Sequence, residues 1–177
     1  MMAHSALAIA NALIDICRSK GISDLSPMKL QKLIYYAHGW QLGATGDSLI
    51  DEQVEAWQYG PVVQSVFDAA KAYGNRAIDS HLVSFEVQMF FDSSEPEVLS
   101  PGELSSVSPL LNWVVDQYGH HSAITLSNLT HVLHGPWHQV YQQYNGAIPR
   151  NTDIPPETIQ RYFRGELEAL TGGSDVR

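Results

Sequence analysis

The run SPMKLQKLIYYAHGWQL, residues 26–42, constrains the fold more than any other part of the chain. Ser26 is a favoured N-cap, and Pro27 follows at the first helical position, where its missing N–H costs nothing. The pattern predicts a helix over residues 27–42. At ~100° per residue, Leu30, Leu33, Ile34, Ala37 and Trp40 fall on one arc and Met28, Tyr35 and Leu42 on a second. Gln31 and His38 lie between the arcs, and Lys29, Lys32 and Tyr36 take the remaining side. A helix apolar on two arcs has to be covered from two directions, so this is expected to be the central helix of the core. The Lys29/Lys32/Tyr36 edge is the side expected to stay free for a partner.

The flanking segments supply the cover. Ala6, Leu7, Ala10, Leu13, Ile14 and Cys17 recur on one face, which predicts a first helix to Ser19 with Gly21 as its stop. Gly43 and Gly46 are read as ending the central helix. Residues 47–50 and 54–59 then read as a short β-hairpin, with Glu55, Trp57 and Tyr59 on one face of its second strand. Gly60-Pro61 is read as opening a third helix that runs to Tyr73, with Gln64, Asp68 and Lys71 on its polar side. Residues 81–91 alternate and read as a possible third strand; residues 92–99 are a polar loop. Ser100-Pro101-Gly102-Glu103 is a capping box. It opens a fourth helix that either kinks at Pro109 or divides there. Thr125 is read as the cap of a helix over residues 126–133, and Gly135-Pro136 interrupts before residues 137–144. Pro155-Pro156-Glu157 starts a last helix to about Leu170, and residues 171–177 read as a frayed tail. The expected architecture is therefore α+β: a predominantly helical single domain over residues 1–170, with a small antiparallel hairpin or three-stranded sheet.

At 177 residues the chain is long enough for a core without metal or disulfide staples, and its single cysteine, Cys17, rules out an intrachain disulfide. A cytoplasmic location is the default expectation. The apolar stretch before Cys17 lacks a basic leader and contains Asn11 and Asp15, so it does not read as a signal peptide. No run is long and apolar enough to predict a membrane span. A formal net charge of −9 disfavours a general nucleic-acid binder, which needs clustered lysine and arginine, and suits a partner with a basic surface.

Three signatures accumulate in order: KLQKLIYYAHGWQL, then EAWQYGPVVQSVFDAAKAYG, then LSNLTHVLHGPW. Together they resemble the Panacea domain family, with its SocA-like and phage-associated members, over about residues 6–163. The matching positions are Lys29, Leu30, Lys32, Leu33, Tyr35, Tyr36, Trp40, Trp57, Gly60, Pro61, Val62, Tyr73, Gly74, Leu126, Thr130, His131, Pro136 and Trp137. The resemblance implies a mainly helical fold and the role of antitoxin in a toxin–antitoxin pair, acting by direct binding to a toxin protein. A SocA-like variant of that role delivers the toxin to a cytoplasmic protease. The signature positions are expected to be mostly structural, and the resemblance implies no catalytic set and no cofactor.

Other chemistry finds less support. His131, His134 and His138 have a spacing that could gather imidazoles around Zn²⁺, but Gly135-Pro136 breaks the helix between them and no carboxylate or cysteine accompanies them. His131 is expected to make a structural hydrogen bond, and no metal is predicted. No nucleophile elbow, phosphate loop or H-E-x-x-H is present, and Cys17 sits on an apolar face as an inert thiol would, so an enzyme is not predicted. Gln31 and His38 could be polar groups of a ligand pocket; a small ligand-binding protein stays open on that ground. GISDLS between the first two helices faintly suggests a helix-turn-helix, but the gap is long and Arg18, Lys29 and Lys32 are few. A nucleic-acid-binding autoregulator is therefore the weaker alternative. Lys29, Lys32, Tyr36, Tyr59, Gln64 and Asp68 are the candidate partner-binding residues.

Overall fold

The computed structural model describes residues 3–85 and 95–172. In chain order these form α1 (Ala6–Ser19), α2 (Pro27–Thr45), β1 (Glu55–Trp57), β2 (Gly60–Val62), α3 (Gln64–Ala70) with a 3-10 turn at Lys71–Tyr73, α4 (Pro101–Tyr118), α5 (Ala123–Thr130), α6 (Pro136–Gln143) and α7 (Pro156–Gly172). The result is the expected helical α+β domain, with a two-stranded antiparallel sheet among the described residues.

Helix α2 is the axis of the core, contacting α1, α3, α4, α5, α7 and β2. The Ser26 hydroxyl accepts from the Lys29 N–H and Pro27 opens the helix, as the sequence indicates. The helix is buried on every side from residue 29 to residue 43, not on two arcs alone. It also continues past Gly43, because Gly43 and Gly39 are not breakers but contact points. A Cβ on Gly39 would sit 2.2 Å from the Phe163 ring, and one on Gly43 would sit 2.7 Å from the Phe163 carbonyl carbon. The missing side chains let α7 lie against α2 and seat Phe163 in the core at 1% exposure. The helix stops at Gly46, whose φ of 81° suits a residue without Cβ.

The hairpin is displaced from its expected place. Residues 47–50 do not pair with the following segment; Ile50 instead forms a single parallel bridge with His4. The pairing is β1 with β2, Ala56 opposite Pro61 and Trp57 opposite Gly60, so Gln58 and Tyr59 form a two-residue turn. Gly60-Pro61 is thus strand rather than the start of α3. Val63 stays extended at φ −103° and ψ 120°, and α3 begins at Gln64. The outer edge of β1 is covered by the chain before α7: the Ala56 N–H donates to the Thr152 carbonyl and the Ile154 N–H to the Val54 carbonyl.

Three further expectations shift, and the open choice at Pro109 is settled as a single helix. Residues 81–84 carry no strand, since Asn11 holds them: its side chain exchanges hydrogen bonds with the Leu82 backbone and donates to the Glu97 carbonyl. The remainder of the expected third strand lies largely outside the described residues. Helix α4 opens on the Ser100–Glu103 capping box and runs through Pro109 as one helix. Helix α5 is capped by Ser122, whose hydroxyl accepts from the Thr125 N–H, and it ends at Thr130 rather than Leu133. Helix α7 takes in Thr171 and Gly172 of the expected tail, and residues 173–177 lie outside the described residues.

Candidate functional site

Side chains from all three signatures meet at one place, the β1–β2 hairpin. Six backbone groups of the hairpin and the residue that follows it, Val63, are held by side chains from elsewhere in the chain. Trp137 Nε1 donates to the Trp57 carbonyl at 2.7 Å, and His131 Nε2 lies 3.3 Å from the Gln58 carbonyl. The Ser127 hydroxyl donates to the Tyr59 carbonyl at 2.9 Å, and Lys32 Nζ to the Pro61 carbonyl at 3.1 Å. Gln31 closes the series by donating to the Val63 carbonyl and accepting from the Val63 N–H, at 3.0 and 2.9 Å. Two helices, α2 and α5, and the first turn of α6 thereby fix a strand pair too short to be stable alone.

Packing tightens the clamp. Gly60 has φ 100°, and a Cβ there would fall 2.5 Å from Thr130 Oγ1 and 2.9 Å from Lys32 Nζ. Only glycine fits such a position. Pro136 sets the first turn of α6 and delivers Trp137, whose ring lies 4.0 Å from that of His131 and stacks on Tyr141. His131 Nδ1 lies 2.5 Å from the Ser127 carbonyl, the structural hydrogen bond expected of it. Trp57 donates to Glu55 and lies against Phe67; it is half-buried rather than core.

Lys32 is the unusual member. It is 1% exposed and pairs with no carboxylate among the described residues, and burial pulls its pKa down from 10.5 to about 7. The expected free edge of α2 is therefore not free. Lys29 is also 1% exposed, with Nζ 2.6 Å from Asp24. Tyr36 is buried and stacks on Tyr118 at 4.0 Å, and burial pushes its hydroxyl pKa up. A flat edge of two lysines and a tyrosine reads as surface because buried lysines are rare; here α4, α5 and the hairpin cover it. Leu30, Leu33, Tyr35 and Trp40 are core, with Trp40 Nε1 donating to the Tyr118 hydroxyl. Trp113 is 38% exposed and touches Trp40 edge-on.

The remaining candidates stay on the surface. Tyr59, at the hairpin tip, is 61% exposed. Gln64 and Asp68 lie one turn apart on α3, where the Gln64 amide and then Lys71 hold the Asp68 carboxyl below its ordinary range. Gln31 and His38 do not form a joint pocket, since Gln31 is committed to Val63. His38 stands apart, its pKa lowered by burial to about 4. Cys17 is buried, and burial raises its thiol pKa to about 11, the state of an inert thiol. Among the described residues no group of three histidine, cysteine or carboxylate side chains is placed to hold a metal, and no helix is long and apolar enough to cross a membrane. Sequence reading missed Gln31 and Ser127 as parts of the clamp; their partners lie 32 and 68 residues away, beyond the reach of any local pattern.

Fold and clamp together make a helical domain that holds one short hairpin at its surface, with Tyr59 exposed at the turn. The chain belongs to the family described as Antitoxin SocA-like, Panacea domain, whose model matches residues 30–138. That span takes in α2 from Leu30 onward, the hairpin, α5 and the start of α6, and so every residue of the clamp. The chain is 31% identical over 159 residues to Antitoxin SocA of Caulobacter vibrioides (strain NA1000 / CB15N), covering 90% of this chain and 82% of that protein. No solved structure matches.

Proposed function

We propose that this protein is an antitoxin that neutralises a toxin protein by direct binding and performs no chemistry of its own. The observation that carries the reading is the 31% identity, over 90% of the chain, to a protein named as an antitoxin. The clamp supports it physically. A hairpin fixed before binding loses little conformational entropy on association, which favours a tight complex. Tyr59, 61% exposed at the turn, is the type of aromatic anchor that dominates interface energy, with Gln64 and Asp68 beside the hairpin on α3. Lys29, Lys32 and Tyr36 act beneath this surface rather than in it. The toxin is expected to offer a basic surface, because the chain carries −9 and two of its ten lysines and arginines, Lys29 and Lys32, are buried. Neutralisation then follows from covering the toxin's active site or substrate path.

The test is co-expression with the product of the neighbouring gene, followed by purification through a single tag. Restored growth and a co-purifying complex whose association slows with salt are expected. Co-purification without rescue would refute occlusion. Rescue without a complex, lost in cells lacking the cytoplasmic protease, would replace neutralisation by delivery for degradation.

A further inference from the structure

A second feature lies away from the hairpin, where α2 passes the segment between α2 and β1. Here a cleft of about 170 Å³ opens, several times what a single water needs. Its walls include Ile50, Val54 and Ile159, and its polar lining includes His38, Asp51 and Glu52. His38 is 4% exposed, and its Nδ1 is buried without a hydrogen-bond partner. A buried imidazole nitrogen left unpaired costs free energy that a donor would recover. No lysine or arginine lines the cleft, and its charged side chains are both acidic. Glu52 is fixed by two neutral donors, the Ala6 N–H and the Ser65 hydroxyl, which leave its charge uncompensated. Asp51 is exposed and makes no side-chain hydrogen bond or ion pair among the described residues. The first turn of α7 reaches the cleft at Pro156 and Ile159, and a helix N-terminus works against a cation. Its own Glu157 sets a third carboxylate in that turn and offsets the effect.

We propose that this cleft receives one basic side chain, lysine or arginine, of the bound toxin: its alkyl stem lies along Ile50, Val54 and Ile159, and its cationic N–H groups reach Asp51, Glu52 and His38 Nδ1. The inference rests on the antitoxin reading and names a contact within it. Its chemistry follows from the lining. The burial that holds His38 neutral makes it an acceptor rather than a competing cation, and the half-apolar walls suit a stem that ends in a charge. An anion would be repelled by both charged side chains of the lining, Asp51 and Glu52, and an uncharged apolar group would leave Nδ1 unsatisfied.

The experiment uses the full chain with ¹⁵N-labelled histidine and follows the His38 ring nitrogens by NMR. The probes are n-butylammonium and n-butylguanidinium, with 1-butanol as the uncharged control. Saturable shifts with both cations and none with butanol are expected, with binding weaker by about tenfold in Asp51→Asn. A second titration uses the complex with the cognate toxin: His38 should already be shifted and the probes should no longer bind. Cations that leave His38 unmoved, or that shift it equally in Asp51→Asn, would overturn the site. Cations that bind the free chain and the complex alike would assign the cleft to a free small cation and overturn the toxin contact. Neither result touches rescue of growth, so this contact can fail while the antitoxin reading stands.

Discussion

Replacing Lys32 by methionine isolates a free-energy term that the fold carries at neutral pH. Lys32 binds its proton with a pKa of 10.5 when exposed and about 7 when folded, because burial disfavours the ammonium. Between these values the unfolded chain holds a proton that the folded chain has released. Stability therefore rises with pH across this window, by up to ~1.4 kcal/mol per unit, and the full penalty, about 5 kcal/mol, applies below pH 7. From pH 7 to pH 9 the gain is about 2 kcal/mol, a sizeable part of a domain's typical stability. Other groups titrate at the margins. His38, lowered from 6.5 to about 4, makes stability rise between those values and is level above them. Cys17, raised from 9.0 to about 11, makes stability fall as pH rises through that range. Both are unchanged in Lys32→Met, so the difference between the two proteins in the pH 7–9 window belongs to Lys32. Methionine keeps the stem but leaves the Pro61 carbonyl without its donor, a loss of ~1–3 kcal/mol that shifts the curve without tilting it. Urea unfolding at half-unit pH steps reads the result. The parent should climb from pH 7 to 9 while Lys32→Met stays flat by comparison; parallel curves would refute the idea of a depressed, uncompensated lysine under the hairpin.

Three further outcomes follow from packing and exposure. Gly43→Ala places a methyl group against the α7 backbone, 2.7 Å from the Phe163 carbonyl carbon, and should lose ~1–3 kcal/mol despite alanine's better helix propensity. Gly165→Ala, with nothing within 4 Å of the new Cβ, should gain ~0.5–1 kcal/mol, so equal melting temperatures for the two would refute the close approach of α2 and α7. Leu33→Ala removes a side chain of 0% exposure from the centre of α2 and should cost ~2–5 kcal/mol, lowering Tm by roughly 10 °C; a melt within a degree or two of the parent would place this arc outside the core. Tyr59→Ala should leave Tm within a degree or two yet weaken capture of the toxin by about tenfold or more, and undiminished binding would remove the hairpin tip from the interface.

Helix starts with a strong capping signal were legible in the residues alone. Ser26-Pro27 and the Ser100–Glu103 capping box place two helix starts, because capping is satisfied within one turn of chain. The two apolar arcs of α2 make it the central helix, and the joint signatures point to the family that the comparisons establish. The partners of the polar side chains, by contrast, emerge only from the folded chain. Lys32, Gln31, His131 and Trp137 each bond a hairpin group at least 29 residues away, and no periodicity encodes that distance. The hairpin register moved for the same reason: Gln31, an apparently spare polar residue, holds Val63 extended and delays α3. Gly43 reads as a helix stop because glycine is a poor helix former, yet the close passage of α7 requires it inside α2. Lys29 and Lys32 read as surface because burying a charge is costly. Whether that cost is met by a carboxylate, as at Lys29, or by loss of the proton near neutral pH, as at Lys32, depends on which atoms the folded chain brings alongside.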